Sequence, residues 1–180
     1  MSKEEIQALQ LKMYQHYAKI QELRKELEPE VVKDYRFMRS ADEEVSLSEL
    51  FEEHDTLIVV HNMGRQCSYC TAWADGYSGI YDLLKEHTAF VVSSPDTPAI
   101  QAENKAARAW KFPIVSLGDN LFAADMGFQV DGHYHPGVSV FTRDKDGLIK
   151  RTWSAPFGPS DHYGVLWHTL DLLSNNPMLG

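Results

Sequence analysis

The chain has 180 residues, enough for one domain with its own hydrophobic core and an appendage, and short for two full domains. Apolar residues make up 43% and charged residues 24%, close to the globular average, which excludes a disordered or fibrous chain. The 17 lysines and arginines stand against 26 aspartates and glutamates; the net charge of −9 repels nucleic-acid phosphates and anionic membrane surfaces alike.

In chain order, Met1-Ser2-Lys3-Glu4-Glu5 lacks the apolar stretch and small-residue cleavage site of a secretory signal, so a cytoplasmic protein is expected. Residues 3–28 read as one long amphipathic helix closed by Pro29. Ile6, Leu9, Met13, Ile20, Leu23 and Leu27 follow a seven-residue repeat broken only by His16. Such a helix either packs on its own domain or forms a short coiled-coil contact between protomers, which is the route to a homodimer. A charged connection with Lys33-Asp34-Tyr35, Phe37 and Ser40 to Glu44 follows, which divides the chain into residues 1–44 and a main domain over 45–180. In Val45-Ser46-Leu47-Ser48-Glu49-Leu50-Phe51, either Ser46 or Ser48 can cap a short helix.

Leu57 to His61 is a β-branched apolar run, the pattern of a strand buried on both faces; like every apolar string here it is too short to span a membrane. Beyond it, Cys70, Trp73, Tyr77, Ile80 and Leu84 recur at alternating spacings of 3 and 4, the buried stripe of a helix running to about Glu86. Ala89 to Val92 reads as a second buried strand, and Thr97 to Trp110 as a helix with Pro98 in its first turn. Phe112 to Ser116 is a short strand, and Asp119 to Met126 a short helix ended by Gly127. Val138 to Thr142 and Leu148 to Trp153 flank Asp144-Lys145-Asp146-Gly147, a hairpin signal. Asp161 to Leu173 closes the chain as a helix capped by Ser160 or Asp161, before the tail Asn175-Asn176-Pro177.

The two cysteines, Cys67 and Cys70, form a Cys-x-x-Cys pair between a strand and a helix. Two thiols this close cannot staple distant parts of a chain, so the pair points to chemistry rather than scaffolding. Unpaired N–H groups and the positive end of the macrodipole stabilise a thiolate at a helix start, and Arg65 adds to that field. A thiol with pKa about 8.5 is roughly 3% ionised at pH 7; lowering the pKa to about 7 makes it about half ionised. An exposed Cys67 then attacks a disulfide or oxidised sulfur, and Cys70, one turn inward, resolves the mixed bond. His61, at the strand end six residues before Cys67, is positioned to move protons beneath the thiols, and Tyr69 to form a docking surface. Asp75 reads as solvated or capping before catalytic. The competing readings of the pair are buried apolar packing or half a zinc site, with His61, His133 and His135 as nitrogen donors. One cysteine pair without a second is a weak zinc signature, and no metal or other cofactor is expected.

This order of parts resembles the thioredoxin-like superfamily over about residues 45–175: strand, Cys-x-x-Cys, helix, strand, helix, a proline-led hairpin and a closing helix. The resemblance implies a three-layer α/β/α sandwich with a mixed central sheet, here preceded by the long helix. It also implies a cis-proline against the cysteines, for which Pro136 in His135-Pro136-Gly137-Val138-Ser139-Val140 holds the matching place. His61 stands where many thioredoxins carry a buried acid, and their Trp-Cys-Gly-Pro-Cys sequence is absent. More closely, Lys33-Asp34-Tyr35, Ser46 to Phe51, the cysteine pair and Trp73-Ala74-Asp75-Gly76 resemble the bacterial family called domain of unknown function 899, whose members are labelled thioredoxin-like dithiol-disulfide oxidoreductases. The expected activity is therefore thiol–disulfide exchange on a protein or small-molecule substrate, with Cys67 as nucleophile, Cys70 resolving, and Pro136, Tyr69 and Arg65 around the substrate groove. The alternatives are a peroxiredoxin-like peroxidase, whose Pro-x-x-x-Thr/Ser-x-x-Cys setting is absent here, and a non-enzymatic module that binds or dimerises.

Overall fold

Ser2 opens the first helix, α1 (Lys3–Arg24), by accepting a hydrogen bond from the Glu5 amide at 3.2 Å. A computed structural model describes residues 2–158 and 161–173 of the chain. After α1 come three short strands, β1 (Glu30–Val31), β2 (Arg36–Met38) and β3 (Glu44–Ser46), and a 3-10 turn at Glu49–Phe51. Ser46 and Glu49 cap that turn reciprocally: Ser46 Oγ accepts from the Glu49 amide, and the Glu49 carboxylate accepts from the Ser46 amide. The core follows as β4 (Thr56–His61), α2 (Ser68–Leu84), β5 (Ala89–Ser94), α3 (Pro98–Arg108) and β6 (Ile114–Ser116). Next are α4 (Phe122–Asp125), a small hairpin of β7 (Gln129–Val130) and β8 (His133–Tyr134), then β9 (Gly137–Arg143), β10 (Ile149–Pro156) and α5 (Val165–Leu170).

Eight strands form one mixed sheet in the order β1-β10-β9-β4-β5-β6-β2-β3. β4, β5 and β6 run parallel, joined by α2 and α3, while β9 lies antiparallel against β4 with His61 opposite Gly137. Strand alternation divides the core in two. Leu57 and Val59 face Phe51, Phe122 and Phe141 on one side of the sheet; Val60, Phe90, Val92 and Val138 face α2, Trp110 and α5 on the other. This is the expected three-layer α/β arrangement with a leading helix.

Some elements depart from expectation. The connection over residues 29–44 supplies the edge strand β1 beside β10 and, at the other margin, β2 between β6 and the edge strand β3, so the folded body begins before residue 45. On α2 the buried stripe holds Cys70 and Trp73, but Ile80 is 48% exposed, and Tyr81 packs against Phe90 and Phe112 instead. The closing helix is shorter than predicted because Asp161 spends its carboxylate on the Tyr163 and Gly164 amides, holding residues 161–164 as a turn. Ser160 and the Asn175-Asn176-Pro177 tail lie outside the described residues. α1 has no buried residue, so it does not pack its apolar stripe on its own domain. Among the described residues no helix is long and apolar enough to cross a membrane.

Candidate active site

The chain leaves β4 through a tight loop that sets the first cysteine at the start of α2. Asn62 Oδ1 accepts from the Gly64 amide at 2.8 Å, and Gly64 takes φ +98°, a conformation that side-chain-bearing residues rarely adopt. Asp96, beyond β5, anchors the next residue by accepting from the Arg65 amide at 2.7 Å. The Gly64 carbonyl in turn accepts from the Cys67 amide at 3.1 Å. Each bond hands position along the loop toward the sulfur.

Cys67 is the N-cap of α2: its Sγ accepts from the Cys70 amide at 3.0 Å, and its carbonyl from the Thr71 amide and hydroxyl. The two sulfurs are joined as a disulfide, with Cα atoms 5.2 Å apart, inside the usual range for such a bond. When the bond is reduced, the helix-start amide that now meets Cys67 Sγ is a donor for a thiolate at the same atom. The expected open Cys67 is corrected by the structure: both cysteines are buried in the oxidised pair, Cys67 at 8% exposure and Cys70 at 3%. Cys67 remains the more accessible of the two.

Aromatic side chains wall the pair. Tyr69 is 42% exposed, its ring centroid 5.5 Å from that of Trp167 on α5, and Trp73 stands 5.8 Å from Trp167. Between α2 and α5 runs a mostly apolar groove of about 380 Å³, lined by Ala72, Trp73, Gly76, Gly164, Val165 and Leu166 together with Asp75 and Thr169. It lies one helical turn beyond Cys70.

The remaining sequence-selected residues are distributed differently. His61 belongs to the opposite core: its ring stacks 4.0 Å from Phe128 and 5.3 Å from Phe122, and Nε2 meets Ser139 Oγ at 2.9 Å. Burial, with the Arg151 charge adding to it, lowers its pKa to about 3, so the ring is neutral. His61 is thus buried structure on the face away from the cysteines and is not brought together with the thiols. Pro136 sits beside the end of β4, since Gly137 pairs with His61, but its peptide bond is trans: the described residues contain no cis bond. Its carbonyl accepts from the Phe157 amide at 2.9 Å, tying β9 to the end of β10. The Arg65 guanidinium is drawn to Glu103 on α3 at 2.9 Å, so its charge is directed at a carboxylate. Asp75 is a tie between helices, accepting from both arms of Arg108 and from Trp110 Nε1 at 2.8 Å; these bonds hold its carboxyl below the usual range. Among the described residues no three histidine, cysteine or acidic side chains gather as a metal site.

Asn62, Gly64 and Asp96 build the cysteine loop and escaped the sequence reading, although an Asn-x-Gly step after a strand is a turn signal. Trp167 carried no signal beyond its apolar character; only the packing of α5 brings it to Tyr69.

A family model described as "Bacterial protein of unknown function (DUF899)" matches residues 3–176. No curated protein matches the chain. Among solved structures, the chain is similar to PrxQ from Xylella fastidiosa, with TM-score 0.63 and 10% identity over 80% of this chain and 94% of that one. It is also similar to reduced Prx3 from Vibrio vulnificus, solved in complex with hydrogen peroxide, with TM-score 0.59 and 15% identity over 73% and 88%. A third is peroxidoxin BcpB from Mycobacterium tuberculosis, with TM-score 0.54 and 20% identity over 67% and 80%. At these identities the likeness is one of fold, the thioredoxin-like fold of peroxiredoxins.

Proposed function

The chain belongs to the bacterial family DUF899, and we propose that it is a dithiol–disulfide oxidoreductase working through Cys67 and Cys70. The observation that carries this reading is the position of the pair: a disulfide at the start of α2, with a helix-start amide aimed at Cys67 Sγ. In the reduced protein the Cys67 thiolate attacks one sulfur of a substrate disulfide. A bond forms between the two sulfurs, the substrate S–S bond breaks, and its second sulfur leaves as a thiolate that takes up a proton. Deprotonated Cys70 then attacks Cys67 Sγ, the mixed disulfide breaks, and the remaining substrate sulfur leaves as a second thiol. Two electrons have moved to the substrate, and an external dithiol returns them to the pair. The substrate is a protein or small-molecule disulfide docking along Tyr69 and the groove beside Trp73, in the reducing cytoplasm.

A peroxidase is the second reading, favoured by the fold shared with peroxiredoxins. In that reaction the Cys67 thiolate attacks a peroxide oxygen, the O–O bond breaks with loss of water or an alcohol, and Cys70 resolves the sulfenic acid with loss of water. One experiment separates the readings. Pre-reduced protein is given glutathione disulfide or hydrogen peroxide in single turnover, and the products are weighed by intact mass. Cys70→Ser is expected to accumulate a glutathione adduct and Cys67→Ser none. Fast disulfide formation by peroxide with no reaction of glutathione disulfide assigns the peroxidase; no reaction with either removes both enzymatic readings and leaves the binding module.

A further inference from the structure

The seven-residue repeat of α1 has no covering surface in the protomer. Ile6, Leu9, Met13, Ile20 and Leu23 are between 44% and 58% exposed, as on a helix standing in solvent; the helix ends at Arg24, so Leu27, expected to continue the repeat, falls beyond it. The body touches a neighbouring flank instead. Tyr17 meets His162 with ring centroids 6.2 Å apart, while Arg24 lies 3.9 Å over the Trp153 ring and donates to Tyr163 Oη at 3.2 Å. These contacts fix the base of the helix and leave its apolar seam open.

We propose that this seam pairs with the same seam of a second copy, as a short two-stranded coiled coil. An apolar repeat averaging 3.5 residues matches another helix, because only a helix presents knobs and holes at that period. A lone helix of 22 residues, about 33 Å long, is marginal in water and gains its order from a partner. Charge permits a second copy of this chain. Along Lys3–Arg24 the four cations Lys3, Lys12, Lys19 and Arg24 stand against the three anions Glu4, Glu5 and Glu22, so the helix carries +1 in a chain of net −9. Two copies meet there with little of the repulsion that opposes contact elsewhere. Area agrees: five side chains that each still expose roughly 100 Å² give about 500 Å² per protomer and about 1,000 Å² for the pair, the size of a weak, reversible interface. His16 places one polar layer in the seam, which weakens the pair while restricting its register.

Sedimentation equilibrium on the full chain tests this. The expected mass at about 50 μM is twice 20.5 kDa, and Leu9→Glu and Leu23→Glu each weaken association by roughly a hundredfold or more. Leu11→Glu is the control, because Leu11 is as exposed, at 59%, but lies off the seam; it changes the dissociation constant by less than about threefold. His16→Leu removes the polar layer and tightens the dimer by about tenfold or more. A wild-type mass of 20.5 kDa at about 100 μM overturns the proposal, as does an equal response to Leu9→Glu and Leu11→Glu, which describes a non-specific sticky surface.

Discussion

Replacing Gly64 by alanine tests the loop that presents Cys67. At φ +98° an L-residue meets backbone strain of about 1–2 kcal/mol. The new methyl also lands 2.8 Å from Asp96 Oδ1, whose partner oxygen is held by the Arg65 amide, so Asp96 must shift and weaken a bond contributing about 1 kcal/mol. Alanine restricts the unfolded chain, which offsets about 0.5–1 kcal/mol, leaving a net loss of about 2 kcal/mol. For a protein of this size that is a fall in Tm of about 4–8 °C. The matching control is Gly79→Ala on α2, where nothing lies within 4 Å of the added carbon and a helical alanine gains about 0.5–1 kcal/mol. Urea unfolding of both variants measures the two changes with opposite expected signs. A Gly64→Ala protein within about 0.5 kcal/mol of wild type contradicts the account of this loop.

Three further outcomes follow from the site and its surroundings. Burial holds the His61 pKa at about 3 in the fold against about 6.5 when unfolded, so the stability it contributes is full above pH 6.5 and falls by about 1.4 kcal/mol per pH unit as pH drops toward 3. Urea midpoints at pH 7 and pH 5 should show this slope in wild type and lose it in His61→Phe, which keeps the stack on Phe128; an unchanged slope in the variant assigns the effect elsewhere. Asp75→Ala should cost about 1–2 kcal/mol, because Trp110 Nε1 loses its acceptor, whereas Arg108→Ala, removing the exposed half of the tie, costs less than about 1 kcal/mol. Equal losses from the two would locate the energy in the ion pair rather than the indole. Neither Asp75→Ala nor His61→Phe should move the reduction potential of the cysteines by more than about 15 mV, as both residues act on the fold and not on the sulfurs.

The parts of the fold legible from sequence are those with a strong period or an obligatory turn residue. β4 and β5 show as continuous apolar runs because both faces are covered, and the Asp144–Gly147 turn shows itself because Gly147 takes φ +82° while Asp144 accepts from the Asp146 and Leu148 amides. The strands β1, β2 and β3, at two or three residues, are too short for a period to register, and they form only because the sheet offers them an edge. The turn Asp131-Gly132 between β7 and β8 carries the same Asp-Gly signal, with φ of +51° and +78°. His61 marks the boundary of what alternation can say. Its parity with Val59, opposite to Val60, was in the sequence, but which parity faces α2 depends on the crossover, and that decided against a role beneath the thiols. The trans bond at Pro136 belongs to the same class, since isomer choice is made by the surrounding strands. The cysteine pair needed none of this: its spacing and its place at a strand-to-helix turn were visible directly.

The central claim is that Cys67 and Cys70 form a working redox couple, and a titration of the pair against glutathione buffers, read by intact mass after thiol alkylation, tests it most directly. The account predicts a reversible two-electron transition with a midpoint between about −120 and −300 mV, absent in Cys67→Ser. A pair that stays oxidised, or stays reduced, across that whole range contradicts it.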